Sequence, residues 1–212
     1  DAKGMDIKEV SLVKAGKNTP LKYSYDSLQL HIGLNKQYKQ GEKYIIYISY
    51  TAKHDELKVK GSAAISDAKG LYFINPDGKD PNKPTQIWTQ GETESSSAWF
   101  PTIDKTNQKC TEEISMTVEK KYVTLSNGKL VKQQNNADGT RTDTWKMDLP
   151  HSPYLFMMAV GDPAGFYNVV TKKHTGITKG EVGVMMGSYD LYRGNIDLDG
   201  KLDSAGKLLY RV

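Results

Sequence analysis

A chain of 212 residues can build one large domain, or a domain of about 150 residues with an appendage. Thirteen Tyr and three Trp supply bulky core-forming side chains, and apolar residues are spread along the chain, which excludes general disorder. The net charge of +4 comes from 29 basic and 25 acidic residues with interspersed signs and no Lys or Arg run beyond two, which excludes a clustered nucleic-acid surface.

Cys110 is the sole cysteine, so no intrachain disulfide can form. The alternation of Cys110, Glu112 and Ile114 puts that thiol in or beside a strand. No apolar run approaches the roughly 18 residues of a membrane helix. The first residue is Asp1 and no signal peptide is visible, so the chain is expected to be a processed or truncated piece.

In chain order, Leu28, Leu30, Ile32 and Leu34 alternate with Gln29, His31 and Gly33, which predicts a half-buried strand. Lys39–Glu42 supplies a turn. Lys43–Ala52, a β-branched and aromatic run, predicts a second and more buried strand. Asn75–Thr85, rich in Pro, Asp, Lys and Gly, reads as an exposed loop. Gly91–Asn107 reads as a second long loop, polar at first and then carrying Trp99, Phe100 and Pro101. Ile114–Val118 and Tyr122–Leu125 alternate as strands. Asn127-Gly128, between two apolar runs, predicts a tight hairpin with positive φ at both turn residues. Asp138-Gly139 predicts a second hairpin between Leu130–Gln134 and Thr142–Met147, and Tyr154–Val160 a last strand.

Strands recur with turn signals between them and no amphipathic helix intervenes. That pattern predicts an all-β chain, an antiparallel β-sandwich or barrel. The character changes after Gly161-Asp162-Pro163. We place a domain boundary there, giving a β-sandwich over 1–162 and a Gly-rich, loosely patterned tail over 163–212.

Five segments in one order carry a family resemblance: Gly70-Leu71-Tyr72-Phe73, Thr89-Gln90-Gly91-Glu92, Trp99-Phe100-Pro101-Thr102-Ile103-Asp104, Cys110–Val118 with Tyr122–Gly128, and Pro153–Asp162. Together they resemble the N-terminal β domain of M1-family zinc aminopeptidases. The resemblance implies a saddle-like β-sandwich packed against a thermolysin-like catalytic domain of the same parent chain. That domain holds zinc through an HExxH motif and a distant glutamate. It further implies that Glu92 binds the free α-amine of a peptide substrate and that Gln90 lines the pocket for the first side chain. An ammonium held by a carboxylate in a partly dry cleft makes a charge-assisted hydrogen bond. A fixed amine also sets which peptide bond reaches the metal.

Alternative readings are plainer. Glu92 and Glu94 can be solvent-exposed loop charges, and Trp99, Phe100 and Pro101 are expected to anchor the loop rather than touch substrate. The pattern also departs from the family. Ser95-Ser96-Ser97 replaces a polar, charged segment, Asp104-Lys105-Thr106 replaces "DEP", and the family's earlier strands are expected to be missing before Asp1.

None of His31, His54, His151 and His174 forms HExxH or an i, i+4 pair, so each is expected at the surface or a strand edge. The chain alone should not hydrolyse peptides. Near the end, Asn195, Asp197, Asp199 and Asp203 surround Gly200 in a pattern that resembles a dockerin or EF-hand calcium loop followed by a short helix. Position twelve, where a carboxylate belongs, is Gly206. Such tails suggest an exported, extracytoplasmic bacterial parent. The alternative function is a non-enzymatic β-sandwich module for binding or adhesion. A further rival is a degenerate M1 homologue kept as a scaffold.

Overall fold

The computed structural model describes residues 1–57 and 68–162 in full, with the backbones of residues 179–186, 192–201 and 209–211. The chain divides into two units, Asp1–Gly165 and Phe166–Val212. Among the described residues every regular element is a strand or a short 3-10 turn.

The first unit opens with β1 (Met5–Lys14), which the sequence reading did not mark. It pairs antiparallel with β2 (Lys17–Pro20) and, across a bulge after Ile7, with β5 (Ile45–Ala52). Met5, Val10 and Leu12 of β1 are buried together with Ser11, which breaks the apolar alternation. Between them β3 (Lys22–Tyr25) and β4 (Leu30–Gly33) form a hairpin. Asp26 Oδ1 closes its turn by accepting from the Leu28 and Gln29 amides. The strand expected from Leu28 is shortened for that reason.

The rest of the unit is two antiparallel sheets. One has the order β6 (Leu71–Ile74), β7 (Gln86–Thr89), β12 (Met158–Gly161), β9 (Val123–Ser126). The other has the order β10 (Lys129–Asn135), β11 (Thr140–His151), β8 (Cys110–Glu119). Side chains join them: Thr124 Oγ1 on β9 donates to Asp143 Oδ2 on β11 at 2.8 Å and accepts from Trp145 Nε1 at 3.0 Å.

Asp138-Gly139 does close the β10–β11 hairpin, with Gly139 at φ +89°. Asn127-Gly128 does not close a hairpin. β9 pairs with β12, and β10 with β11, so the chain crosses from one sheet to the other there. Gly128 has φ +81°, but Asn127 lacks the positive φ that the expected turn requires. Its side chain serves the crossing instead. Oδ1 accepts from the Met157 amide at 2.8 Å, and Nδ2 donates to Leu155 O at 3.0 Å. A Cβ on Gly128 would stand 1.9 Å from Lys146 O, so only glycine fits.

The last expected strand also starts late. Pro153–Leu155 is a 3-10 turn, with Pro153 fixing φ at its start, and strand pairing begins at Met158, opposite Ser126 of β9.

In the second unit β13 (Lys179–Met186), β14 (Tyr192–Lys201) and β15 (Leu209–Arg211) form an antiparallel meander. The stretch read as a calcium loop with a short helix thus has strand backbone at Asn195, Asp197 and Asp199, with β14 paired to β13 and β15. Asp203, and the side chains of all four expected ligands, lie outside the described residues, as does His174.

Candidate functional site

The site is built on the chain leaving β7. Gln90 N donates to Gly70 O at 2.9 Å, which keeps the residue beside β6 after strand pairing ends. Gly91 follows at a close approach. A Cβ there would lie 2.3 Å from Tyr154 O and 2.5 Å from Ser96 Oγ. The missing side chain lets the loop touch the 3-10 turn before β12.

The loop then divides. Ser95, Ser96, Ser97 and Ala98 are all buried, the last three in a 3-10 turn. Ser96 Oγ donates to Pro153 O at 2.7 Å, and the Ser97 amide donates to Asp104 Oδ2 at 2.9 Å. Asp104 is buried too. Trp99 and Phe100 rings meet edge to face at 4.4 Å, and Phe100 stacks on Phe156 at 5.4 Å. Tyr50, whose hydroxyl donates to Trp99 O at 2.9 Å, is pushed up to about 12 by burial. The aromatic half of the loop is therefore its anchor. The serines, read as a lost charged segment, are its buried floor. A run of small residues before an aromatic pair was the available signal, since only small side chains fit under such an anchor.

The other half is open. Glu92 is exposed; among the described residues its carboxylate accepts one hydrogen bond, from Gln90 Nε2 to Oε2 at 3.5 Å, while its carbonyl accepts from Ser95 Oγ at 3.4 Å. The Glu92–Thr93 peptide bond is cis. Among the described residues no cation pairs with Glu92. Glu94 differs: Lys105 Nζ donates to both its oxygens, at 2.8 and 2.9 Å, and holds the carboxyl below its usual range. Lys3 also donates to the Glu94 carbonyl.

Gln90 and Glu92 stand at a cleft of about 380 Å³ between the 88–92 and 154–159 segments. Trp88, Phe156, Met157 and Met158 line it, and Trp88 is stacked on Tyr72, its register partner, at 4.6 Å. Sequence reasoning missed the two methionines because they fell inside an expected strand. An acidic rim beside apolar, adaptable walls suits a ligand with a cationic head and an apolar body.

The described residues do not fit a zinc ion. No group of three or more His, Cys, Asp or Glu is placed to hold a metal among them. His31 is exposed on β4. His54 and His151, expected at the surface or a strand edge, each have a side chain only 12% exposed, with His151 the last residue of β11. His54 stacks on Phe73 at 4.9 Å and His151 packs on Phe156 at 4.6 Å.

A sequence model of the peptidase M1 N-terminal domain matches residues 1–155. Among solved structures, an M1 zinc metallopeptidase from Deinococcus radiodurans superposes with a TM-score of 0.60 at 16% identity, covering 92% of this chain and 38% of that one. A two-domain M1 zinc metallopeptidase mutant bound to L-arginine superposes with a TM-score of 0.60 at 15% identity. Among curated proteins, transcription initiation factor TFIID subunit 2 of Gallus gallus is 30% identical over 129 residues, 57% of this chain and 11% of that protein. The metal-pseudopaline receptor of Pseudomonas aeruginosa is 36% identical over 67 residues, 32% of this chain and 10% of the receptor. The chain thus spans about a tenth of these curated relatives and 38% of the metallopeptidase chain.

Proposed function

The chain belongs to the peptidase M1 N-terminal domain family, and from that we propose that it forms the substrate-end domain of a zinc aminopeptidase. Glu92 binds the α-amine of a peptide and Gln90 stands beside it. The observation that carries this reading is the contrast between the two acids of one loop. Glu94 is taken by Lys105, whereas Glu92 stands at the cleft with no cation against it among the described residues. An ammonium supplies the missing charge, through a charge-assisted hydrogen bond worth about 1.5–3 kcal/mol. Gln90 orients the carboxylate by donating to Oε2, and its carbonyl oxygen stays available to the same ammonium. Trp88, Met157 and Met158 give the first side chain an apolar wall.

On this reading the parent's catalytic domain holds the zinc. The metal, when bound there, polarises the scissile carbonyl and activates water. This chain's residues bind and orient. Glu92→Gln in the parent should raise KM for free-amine peptides and lower kcat/KM by about tenfold to a hundredfold. N-acetylated substrates should show no such difference. Equal kcat/KM in the two proteins would remove Glu92 from the site.

One observation favours a second reading. The relatives from Danio rerio and Gallus gallus are subunits of the transcription initiation factor TFIID by name. A degenerate M1 domain kept as a scaffold would have the same fold. Absence of turnover by the zinc-loaded parent would establish it.

A further inference from the structure

Away from Gln90 and Glu92, two buried ionisable groups face each other on the β8–β11 ladder. The Glu112 side chain is 3% exposed, and neither of its carboxylate oxygens has a hydrogen-bond partner. His151 Nε2, also buried and unpartnered, lies 3.8 Å from Glu112 Oε1. Register explains the meeting. Cys110 and His151 are Cα partners, and Glu112 lies two residues from Cys110 on the same face. The ladder breaks between Met147 and His151, which brings His151 opposite Cys110.

Hydrogen-bond chemistry fixes what this pair needs. His151 Nδ1 lies 2.8 Å from Leu149 O. A carbonyl only accepts, so Nδ1 carries a proton, and Nε2 of the neutral ring is an acceptor. An ionised Glu112 beside that ring would set lone pair against lone pair. One proton between them makes a donor and an acceptor, and a small carboxyl rotation closes the gap.

The pair reaches the cleft through one of its lining residues, Phe156. The His151 ring packs on Phe156, and Phe156 stacks on Phe100, the anchor of the Glu92 loop. Phe156 leads into Met157 and Met158, whose amides donate to Asn127 Oδ1 and Thr89 Oγ1 at 2.8 and 2.9 Å. Those residues form the cleft wall across from Gln90 and Glu92.

We propose that Glu112 and His151 share one proton and act as the positioning pair for the Phe156–Met158 wall of the cleft. The effect on substrate rests on the amine-binding reading above; the proton sharing does not. Among the described residues, Cys110, on Glu112's own strand, and His151, on β11, are the titratable groups that face Glu112. Its register partner Met147 brings no charge. Burial pushes the Glu112 carboxyl up to about 7. As pH rises through that value the shared proton leaves. A buried carboxylate without a donor remains, and the Phe156 contact yields as the group reaches for water.

The test is hydrogen-exchange protection of the Met157 and Met158 amides in the 212-residue chain, from about pH 5.5 to about pH 8.5. Protection, corrected for intrinsic exchange, should fall about tenfold with a midpoint near 7. In Glu112→Gln the amide donates to Nε2 without titrating, so protection should stay level. A flat wild-type profile overturns the proposal, and so does a Glu112→Gln profile that tracks the wild type. If the variant does not fold, the wild-type profile alone decides. Glu92→Gln should leave both amides unchanged, so failure of the amine site and failure of the proton-sharing pair are read separately.

Discussion

The two ends of the β8–β11 ladder each bury a carboxylate, and the ends behave oppositely. At one end Asp143, with a side chain 2% exposed, receives Arg141 Nε at 2.8 Å and Nη2 at 2.9 Å, and Thr124 Oγ1 at 2.8 Å. Burial pushes its carboxyl up, but the hydrogen bonds from Arg141, Thr124 and Gln133 together outweigh that and hold it below the usual range. At the other end Glu112 is equally hidden and has no donor, so burial alone acts and its carboxyl rises to about 7. Burial therefore does not determine charge state on this ladder; the supply of donors does. One end is an ion pair within β11 that Thr124 of β9 ties to the other sheet. The other end titrates close to neutrality beside the cleft.

The largest break in that contrast should come from Arg141→Ala. It moves the Asp143 end toward the Glu112 end by removing the charged partner of a buried carboxylate and leaving only the neutral donors Thr124 and Gln133. A loss of about 3–5 kcal/mol is expected, readable as a drop in urea midpoint without a matching change in slope. A loss below about 1 kcal/mol would show that Asp143 reaches water and that the two ends are alike.

The pH dependence should sharpen the same contrast. The folded pKa of Asp143 is depressed, so its stabilisation is present above the unfolded value of 3.8 and is lost as pH falls through the folded value. The folded pKa of Glu112 is raised from 4.5 to about 7, so its contribution is fully present below 4.5 and is lost as pH rises through about 7. Glu112→Gln should thus be more stable than the wild type at pH 8, by on the order of 2 kcal/mol, with the advantage gone near pH 5. Parallel stability curves across that range would contradict the assignment of the titration to Glu112.

Between the two ends lies the crossing at Gly128. Gly128→Ala forces a side chain into the left-handed region and against Lys146 O, and should cost about 1–2 kcal/mol. It should also loosen the Asn127 contacts to Leu155 and Met157, visible as faster exchange of the Met157 amide. An unchanged midpoint would mean that the sheets do not cross as closely as described.

That crossing also marks where sequence reading stopped short. Alternation and turn chemistry are local, and they located β5, β8, β9, β10 and β11 and the Asp138-Gly139 turn well. They carry no information about which strand a run pairs with. Asn127-Gly128 therefore looked like a hairpin although its two strands belong to different sheets. β1 escaped because charged and polar residues interrupt its alternation and Ser11 is among its buried positions. At the site, Gln90 and Glu92 are singled out by the family resemblance of Thr89–Glu92, not by alternation or spacing. The wall opposite could not be singled out, since Phe156, Met157 and Met158 reach the cleft only through a sheet order set by long-range pairing. Glu112 and His151 were invisible as a pair for the same reason. They are 39 positions apart and meet only because the ladder bulges after Met147.

The smallest stability effect is expected at a third carboxylate. Glu92 is exposed, so water already supplies what Arg141 supplies to Asp143 and what Glu112 lacks. The one hydrogen bond to its side chain among the described residues, from Gln90, is 3.5 Å long and contributes little. Glu92→Gln should therefore change the stability of the 212-residue chain by less than about 0.5 kcal/mol at any pH between 5 and 8. The same substitution is expected to lower kcat/KM in the parent by tenfold or more. Large effect on function with no effect on folding is what a carboxylate kept for a ligand's charge should show. If Glu92→Gln instead destabilised the chain by more than about 1 kcal/mol, Glu92 would be a structural acid like Asp143, and any loss of activity would have to be assigned to a disturbed loop.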